Sequence, residues 1–250
     1  VRRRDGARER VDAEALARTA AELGGHGDRM ATSTASVTDS TTGEALVDTC
    51  VRRWGRVDGL VNNAGIAYVA AIAEDTPARQ RELIDVNLVG AMGCGSAALR
   101  RMLEQGFGAI VNVTSAAALG GRGLTAYASS KAAILGLTWT WAVEVEGTGV
   151  RVNAVSPVAV TRMSVDPSGP PPDRIAPVVG WLLSDASADL NGQVVRFDGR
   201  RLGLVAPPRP IPVAALDRDW SSAELVAALD DLRARRTPVG AAALVAEHAG

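Results

Sequence analysis

The stretch Ala109-Ile110-Val111-Asn112-Val113-Thr114-Ser115 decides the fold. It is an uncharged, mostly apolar run that ends abruptly in two hydroxyl side chains, and Gly106-Phe107-Gly108 precedes it. Such a run reads as a strand buried on both faces that feeds a polar loop. The same reading holds on either side of it. Val57 to Val61 stops at Asn62-Asn63-Ala64-Gly65, and Val150 to Val155 closes at Ser156-Pro157. Long helical stretches separate these runs, from about Ala78 to Glu104 and from about Ala126 to Val145. Gly147-Thr148-Gly149 ends the second.

Further outward the same alternation continues. Asp12 to Leu23 reads as a helix, with Asp12 able to cap it and Gly24-Gly25 to stop it. Met30 to Val37 is a modest strand candidate, and Thr42 to Trp54 is a helix, amphipathic through Leu46, Val47 and Val51. Beyond the Pro-rich connection Pro167 to Pro172, Asp173 caps a helix to about Leu183, and Gln193 to Phe197 is a last strand. Short strands alternating with longer helices predict an α/β protein with a doubly wound parallel sheet, covered on both faces. Ligands of such sheets bind at the carboxyl ends of the strands, where the polar clusters fall. From Leu204 the character changes: Ala206 to Pro212 is Pro-rich and Ser221 to Arg236 reads as a capped amphipathic helix. The expected division is a sheet domain over residues 1–203 and an extension over 204–250, packed on the domain or a neighbouring subunit, or loosely attached.

Composition narrows the function classes. The 250 residues are 47% hydrophobic, with 27 basic and 28 acidic side chains and a net charge of −1. That allows a sizeable core and offers no broad basic field for nucleic acid. The Arg-rich first residues, Val1 to Arg10, lack the apolar run of a signal peptide and read as a solvated end. No apolar run approaches the length of a membrane span. Two cysteines, Cys50 and Cys94, without metal-type spacing point to a reducing compartment, hence the cytoplasm. His26 and His248 are far apart, so no metal site is expected.

Lys131 is the lone lysine in a chain whose basic residues are otherwise arginine, and it stands four residues after Tyr127, one of two tyrosines. On a helix that spacing puts both on one face. A tyrosine hydroxyl can hand a proton to a carbonyl oxygen, but its usual pKa near 10 suits neutral pH poorly, and a nearby ammonium lowers it. Ser115, at the end of the preceding strand, can hold the substrate oxygen near Tyr127. Asn87 can anchor a water that links Lys131 to solvent. Each has an ordinary structural reading: a loop serine satisfying backbone groups, an asparagine capping a turn. Together the four point to carbonyl or alcohol redox chemistry.

At these residues the sequence resembles the short-chain dehydrogenase/reductase family, and hydroxyacyl-thioester dehydrogenases within it. Tyr127-Ala128-Ser129-Ser130-Lys131 matches its YxxxK signature and Asn62-Asn63-Ala64-Gly65 its NNAG motif. Asp85-Val86-Asn87 matches the segment carrying its Asn, Val111 to Ser115 the strand ending in its Ser, and Arg151 to Pro157 the strand leading to the nicotinamide. Leu183-Ser184-Asp185 followed by Asn191-Gly192-Gln193 resembles its C-terminal signature. The resemblance covers roughly residues 12 to 200 and implies a Rossmann-like fold, NAD or NADP as cofactor, a small carbonyl or alcohol substrate, and a homo-dimer or homo-tetramer. It implies Asn87, Ser115, Tyr127 and Lys131 as catalytic residues. It also implies Asn63, Ala64 and Gly65 along the adenosine half of the cofactor, Ser36 and Val37 at the adenine, Lys131 and Tyr127 at the ribose, and Pro157 and Thr161 at the carboxamide.

The sequence departs from that pattern in places. The family opens with a strand, a Gly-rich phosphate-binding turn and a helix, and nothing of the kind precedes Asp12, so the expectation is a sheet lacking its first βαβ segment. Gly93-Cys94-Gly95 with Ala98 spells GxGxxA but falls inside a helix, where close packing explains it. Ser36 stands where the family usually has Asp, and Val158 where Gly often follows the proline. The connection from Thr161 to Asp173 is short, which suggests an open site able to admit an acyl group on a long carrier. The competing expectation is a non-catalytic subunit of this fold, or a truncated fragment without cofactor binding, pairing through the helices near Leu83–Leu103 and Tyr127–Val145. Trp139 and Trp141 suit either such an interface or a core.

Overall fold

In a computed structural model residues 13–23, 29–161, 169–208 and 219–231 are described. The Arg-rich start, the Gly24-Gly25 stop, both histidines, residues 162–168 with the first two of the Pro-rich connection, and parts of the tail lie outside them. The central strands are β1 (Gly59–Asn62), β2 (Gly108–Val113), β3 (Val150–Pro157) and β4 (Val194–Phe197), all parallel, joined by an antiparallel β5 (Leu202–Leu204). Their order across the sheet is β1-β2-β3-β4-β5.

Alternation along the strands sorts the core into two layers. Ile110 and Val152 turn to one face and meet Leu99 and Met102 of α4 (Gly90–Gln105) and Trp141 and Val145 of α5 (Thr125–Glu144) or its end. Val47 and Val51 of α2 (Thr42–Trp54) pack against the same cluster. Val111, Val155 and Val195 turn to the other face and meet Leu182 of α6 (Ala176–Leu183). Helices on both faces explain why these strands read as continuous apolar runs. Each fully buried Ile, Val or Leu here stabilises the fold by roughly 1.5–3 kcal/mol. Arg151 is the charged exception in β3, and its guanidinium donates to the Leu182 and Ser184 carbonyls and to Ser187 at the end of α6.

The helices follow expectation with instructive differences. Thr42–Trp54 and α5 form as their patterns predict, and α2 ends at Gly55 in the left-handed conformation. The predicted long helix is interrupted: α3 (Pro77–Ile84), capped by Thr76, passes through a π-helical turn (Asp85–Val89) into α4. By length and composition alone Pro77–Gln105 passes for a membrane span, contrary to the sequence expectation, but half of its most apolar window is buried within the fold. Gly95 lies inside α4 against the Trp141 ring, where any side chain would overlap it. Close helix packing therefore accounts for the GxGxxA spelling, and Trp141 is a core residue.

Two expectations are corrected, and one strand is added. Met30 to Val37 is not a strand, because a strand is defined by a paired neighbour and no described segment pairs with it. Asp173 does not cap α6; it lies in a short 3-10 turn (Pro172–Arg174), and Ile175 occupies the cap. β5 was not anticipated, and Val205 extends its contact by donating its N–H to the Val194 carbonyl. The remaining helices are α1 (Ala13–Glu22) and α7 (Ser222–Asp231). Ahead of α7, Ser221 and Glu224 hydrogen-bond reciprocally as a capping box.

Candidate active site

The parallel strands β1, β2 and β3 end side by side, so the loops that follow them share one edge of the sheet. A cavity of about 520 Å³ lies there. Ser115 reaches it from the end of β2, Tyr127 and Lys131 from the first turns of α5, Asn63 and Gly65 from the loop after β1, and Pro157 and Thr161 from the end of β3.

Local hydrogen bonds fix each member. Thr114 donates its hydroxyl to the Lys131 carbonyl at 2.8 Å, which ties α5 to the end of β2. The Lys131 ammonium donates to the Val113 carbonyl at 2.8 Å and stands 5.8 Å from the Tyr127 ring centre. An ammonium has three N–H donors, so capacity remains for a ligand. Ser115 accepts from the Ala117 N–H at 3.2 Å, which orients its hydroxyl at the start of a 3-10 turn (Ala116–Leu119).

Asn87 sits in the π-helical turn and is almost fully buried. Its amide grips both backbone groups of Ile66, accepting at 2.8 Å and donating at 2.9 Å, and also donates to Ser130 at 3.2 Å. The loop after β1 is thereby bound to α5. A Cβ at Gly65 would stand 3.2 Å from the Asn87 amide oxygen and 3.8 Å from the Lys131 nitrogen, so glycine allows this close approach. A π-turn inside a helix frequently accompanies a functional site, and here it carries the Asn.

Burial sets the electrostatics. Lys131 is 5% exposed, and desolvation pulls its ammonium down from the usual 10.5 to about 8. Burial pushes the Tyr127 phenol above its usual value, opposed by a hydrogen bond with Ser115. The expected lowering of Tyr127 by Lys131 is thus not the dominant effect in the protein alone. At neutral pH a buried neutral phenol therefore stands beside a buried ammonium that loses its proton above about pH 8.

Of the residues the sequence singled out, Asn63, Gly65, Ser115, Tyr127, Lys131, Pro157 and Thr161 line the cavity. Asn87 stands directly behind it. Ala64 is not part of the wall. Ser36 and Val37 lie in the turn before α2, where Ser36 bonds Thr38 and Val37 packs on Gly90. Sequence reasoning missed three supports. One is a relay in which Asn62 donates to Asn112 and Asn112 to Thr138, stitching β1, β2 and α5. Another is Thr114. The third is Tyr68, whose scarcity as one of two tyrosines was the available signal.

The family model for short chain dehydrogenases matches residues 6–168. The chain belongs to the short-chain dehydrogenase/reductase family. It is an oxidoreductase of that family with a Rossmann-like fold. Among relatives of this short-chain dehydrogenase, a 3-oxoacyl-(acyl-carrier-protein) reductase of Thermotoga maritima is 36% identical over 188 residues, 68% of this chain and 75% of that protein. Levodione reductase of Leifsonia aquatica is 34% identical over 194 residues, 67% of this chain and 73% of that protein. A crystal structure of a short chain dehydrogenase from Mycobacterium avium superposes with a TM-score of 0.80 at 29% identity, covering 90% of this chain and 81% of that one. NAD+-bound xylitol dehydrogenase superposes with a TM-score of 0.68 at 28% identity, covering 76% and 86%.

Proposed function

We propose that this short-chain dehydrogenase moves a hydride between NAD or NADP and a carbonyl or secondary-alcohol carbon, with Tyr127 as acid and base. The observation that carries the reading is convergence: the Tyr127 and Ser115 hydroxyls and the Lys131 ammonium meet in one cavity at the strand ends. A carbonyl oxygen placed there accepts hydrogen bonds from Ser115 and Tyr127. The Tyr127 proton passes to that oxygen as the carbon is reduced, and the reverse step takes a proton from an alcohol. Burial keeps the phenol protonated at neutral pH, which suits it to be the acid in reduction. The Lys131 ammonium stabilises the phenolate left behind, and Asn87 holds the adjoining loop so that a proton route can form.

The residues fit the ribose and carboxamide end of a nicotinamide cofactor, which when bound supplies or accepts the hydride. Lys131 has spare donors, Gly65 leaves the wall open, and Pro157 and Thr161 form the facing rim. Asn63 and Ala64 extend this reading toward the adenosine half, and Ser36 and Val37 toward the adenine. The NAD+ in the xylitol dehydrogenase structure supports the cofactor class. Two relatives named 3-oxoacyl-(acyl-carrier-protein) reductases support an acyl-thioester substrate as one member of the carbonyl class. A catalytic domain over 1–203 with an extension over 204–250, a cytoplasmic location, and pairing through α4 and α5 complete the proposal. The exposed Met92, Leu103 and Val143 on those helices favour the pairing.

Fluorescence titration of the chain with NADH and NADPH tests the cofactor assignment. Micromolar binding that Lys131→Met weakens is expected. A folded protein that binds neither cofactor contradicts it.

A further inference from the structure

The cavity wall away from Lys131 is built differently from the reacting end. The loop after β1 supplies Tyr68 and Val69, the segment before α5 supplies Leu124, and the stretch after β3 supplies Val158 and Val160. Lys131 is the lone charged side chain among the described residues of the wall, and it sits with Tyr127 at the reacting end. Among the described residues of the wall no arginine meets a carboxylate or phosphate, and no array of amides meets a polyol.

Tyr68 is held rather than free. Its hydroxyl donates to both Asp75 carboxylate oxygens at 3.0 and 3.1 Å, and Gln80 donates to the same carboxylate at 3.1 Å. The Arg79 guanidinium lies over the ring, 4.2 Å from its centre. The loop is pinned on either side, by Asn87 at Ile66 and by the Ala70 N–H donating to the Gly123 carbonyl at 2.9 Å. With its hydroxyl taken up and a cation on the ring, what Tyr68 offers the cavity is aromatic carbon. Tyr68 is therefore a surface and not a second acid; its phenol is pushed up to about 12 by burial and by Asp75.

We infer that the group flanking the reacting carbon of the substrate is uncharged, apolar and flat, and that the clamped Tyr68 ring is the surface against which it lies. The inference rests on the proposed carbonyl chemistry for where the reacting carbon sits. A carboxylate on that group would lose water and find no cation among the described wall residues beyond Lys131 at the reacting end, Arg79 being outside the wall, whereas an aromatic or cyclic body gains contact with the ring. Tyr68 is a specificity-determining residue on this account.

The test uses two ketones with one skeleton, 2-acetylnaphthalene and 6-acetyl-2-naphthoate. Their binding is measured by calorimetry and their turnover by NADH or NADPH consumption. The neutral ketone is expected to bind at least about tenfold more tightly than the carboxylate. Tyr68→Ala is expected to weaken the neutral ketone about three- to tenfold and to raise its KM with kcat little changed. Tyr68→Phe, which keeps the ring, should restore affinity to within about twofold of wild type. Equal or tighter binding of the carboxylate, no binding of the neutral ketone, or equal losses in the Ala and Phe variants overturns the inference. A neutral ketone that binds with this pattern yet is never reduced by either cofactor sinks the proposed chemistry and leaves the binding preference standing.

Discussion

Replacing Lys131 by methionine should separate the demands of stability from those of chemistry. The side chain is 5% exposed, and burial lowers its pKa from 10.5 to about 8. That difference corresponds to about 3 kcal/mol by which the fold disfavours the charged form. Methionine has similar length and no charge, so Lys131→Met removes that penalty and also the hydrogen bond to the Val113 carbonyl, worth about 1.5–3 kcal/mol for a charged donor. At pH 7 the two nearly cancel. The pH dependence does not cancel. Below pH 8 the amine holds its proton in both the folded and unfolded states, and the penalty is present in full. Above pH 8 the folded state releases the proton while the unfolded state keeps it up to 10.5, so the fold gains stability as pH rises. Urea denaturation followed by tryptophan fluorescence should show wild type gaining about 2 kcal/mol on Lys131→Met between pH 7 and pH 9.5. A gap between the two proteins that stays constant over that range would refute the assignment of a desolvated, depressed ammonium.

Other outcomes follow from the same geometry. Carbonyl reduction should hold steady at acid pH and decline above about pH 8 as Lys131 loses its proton, visible in kcat/KM against pH. Ser115→Ala should lower kcat/KM by roughly 10²-fold, and because the Ser115 hydrogen bond opposes the rise of the Tyr127 phenol, the ascending limb of oxidation, where the phenol must be deprotonated, should move to higher pH. Asp75→Asn should bring the Tyr68 phenol down from about 12 toward 10, measurable by ultraviolet titration in a chain with two tyrosines. Gly95→Ala forces a methyl into the Trp141 ring and should destabilise the fold by about 1–3 kcal/mol in urea denaturation.

Much of the sheet was legible because burial on both faces leaves an unmistakable apolar run. Ile110 and Val111 face opposite helical layers, and neither tolerates a charge. The shared edge of the candidate site was legible because helical spacing brings Tyr127 and Lys131 together and strand ends collect Ser115 and Asn63. What escaped depends on contacts distant in sequence. Met30 to Val37 has strand-like composition, yet a strand exists through its neighbour, and none pairs with it among the described residues. β5 is three exposed residues whose reason is the free edge of β4. The π-turn at Asp85–Val89 has no compositional mark; it coincides with Asn87, whose amide reaches 21 residues back to Ile66. The Tyr68–Asp75 clamp lies in a loop with no periodicity to read.

The most direct test of the account compares wild type with Tyr127→Phe in the reduction of a neutral ketone by NADH and NADPH. Loss of turnover by about 10²–10⁴-fold, with cofactor binding retained, is the predicted result. Turnover near wild type in the phenylalanine variant would contradict it.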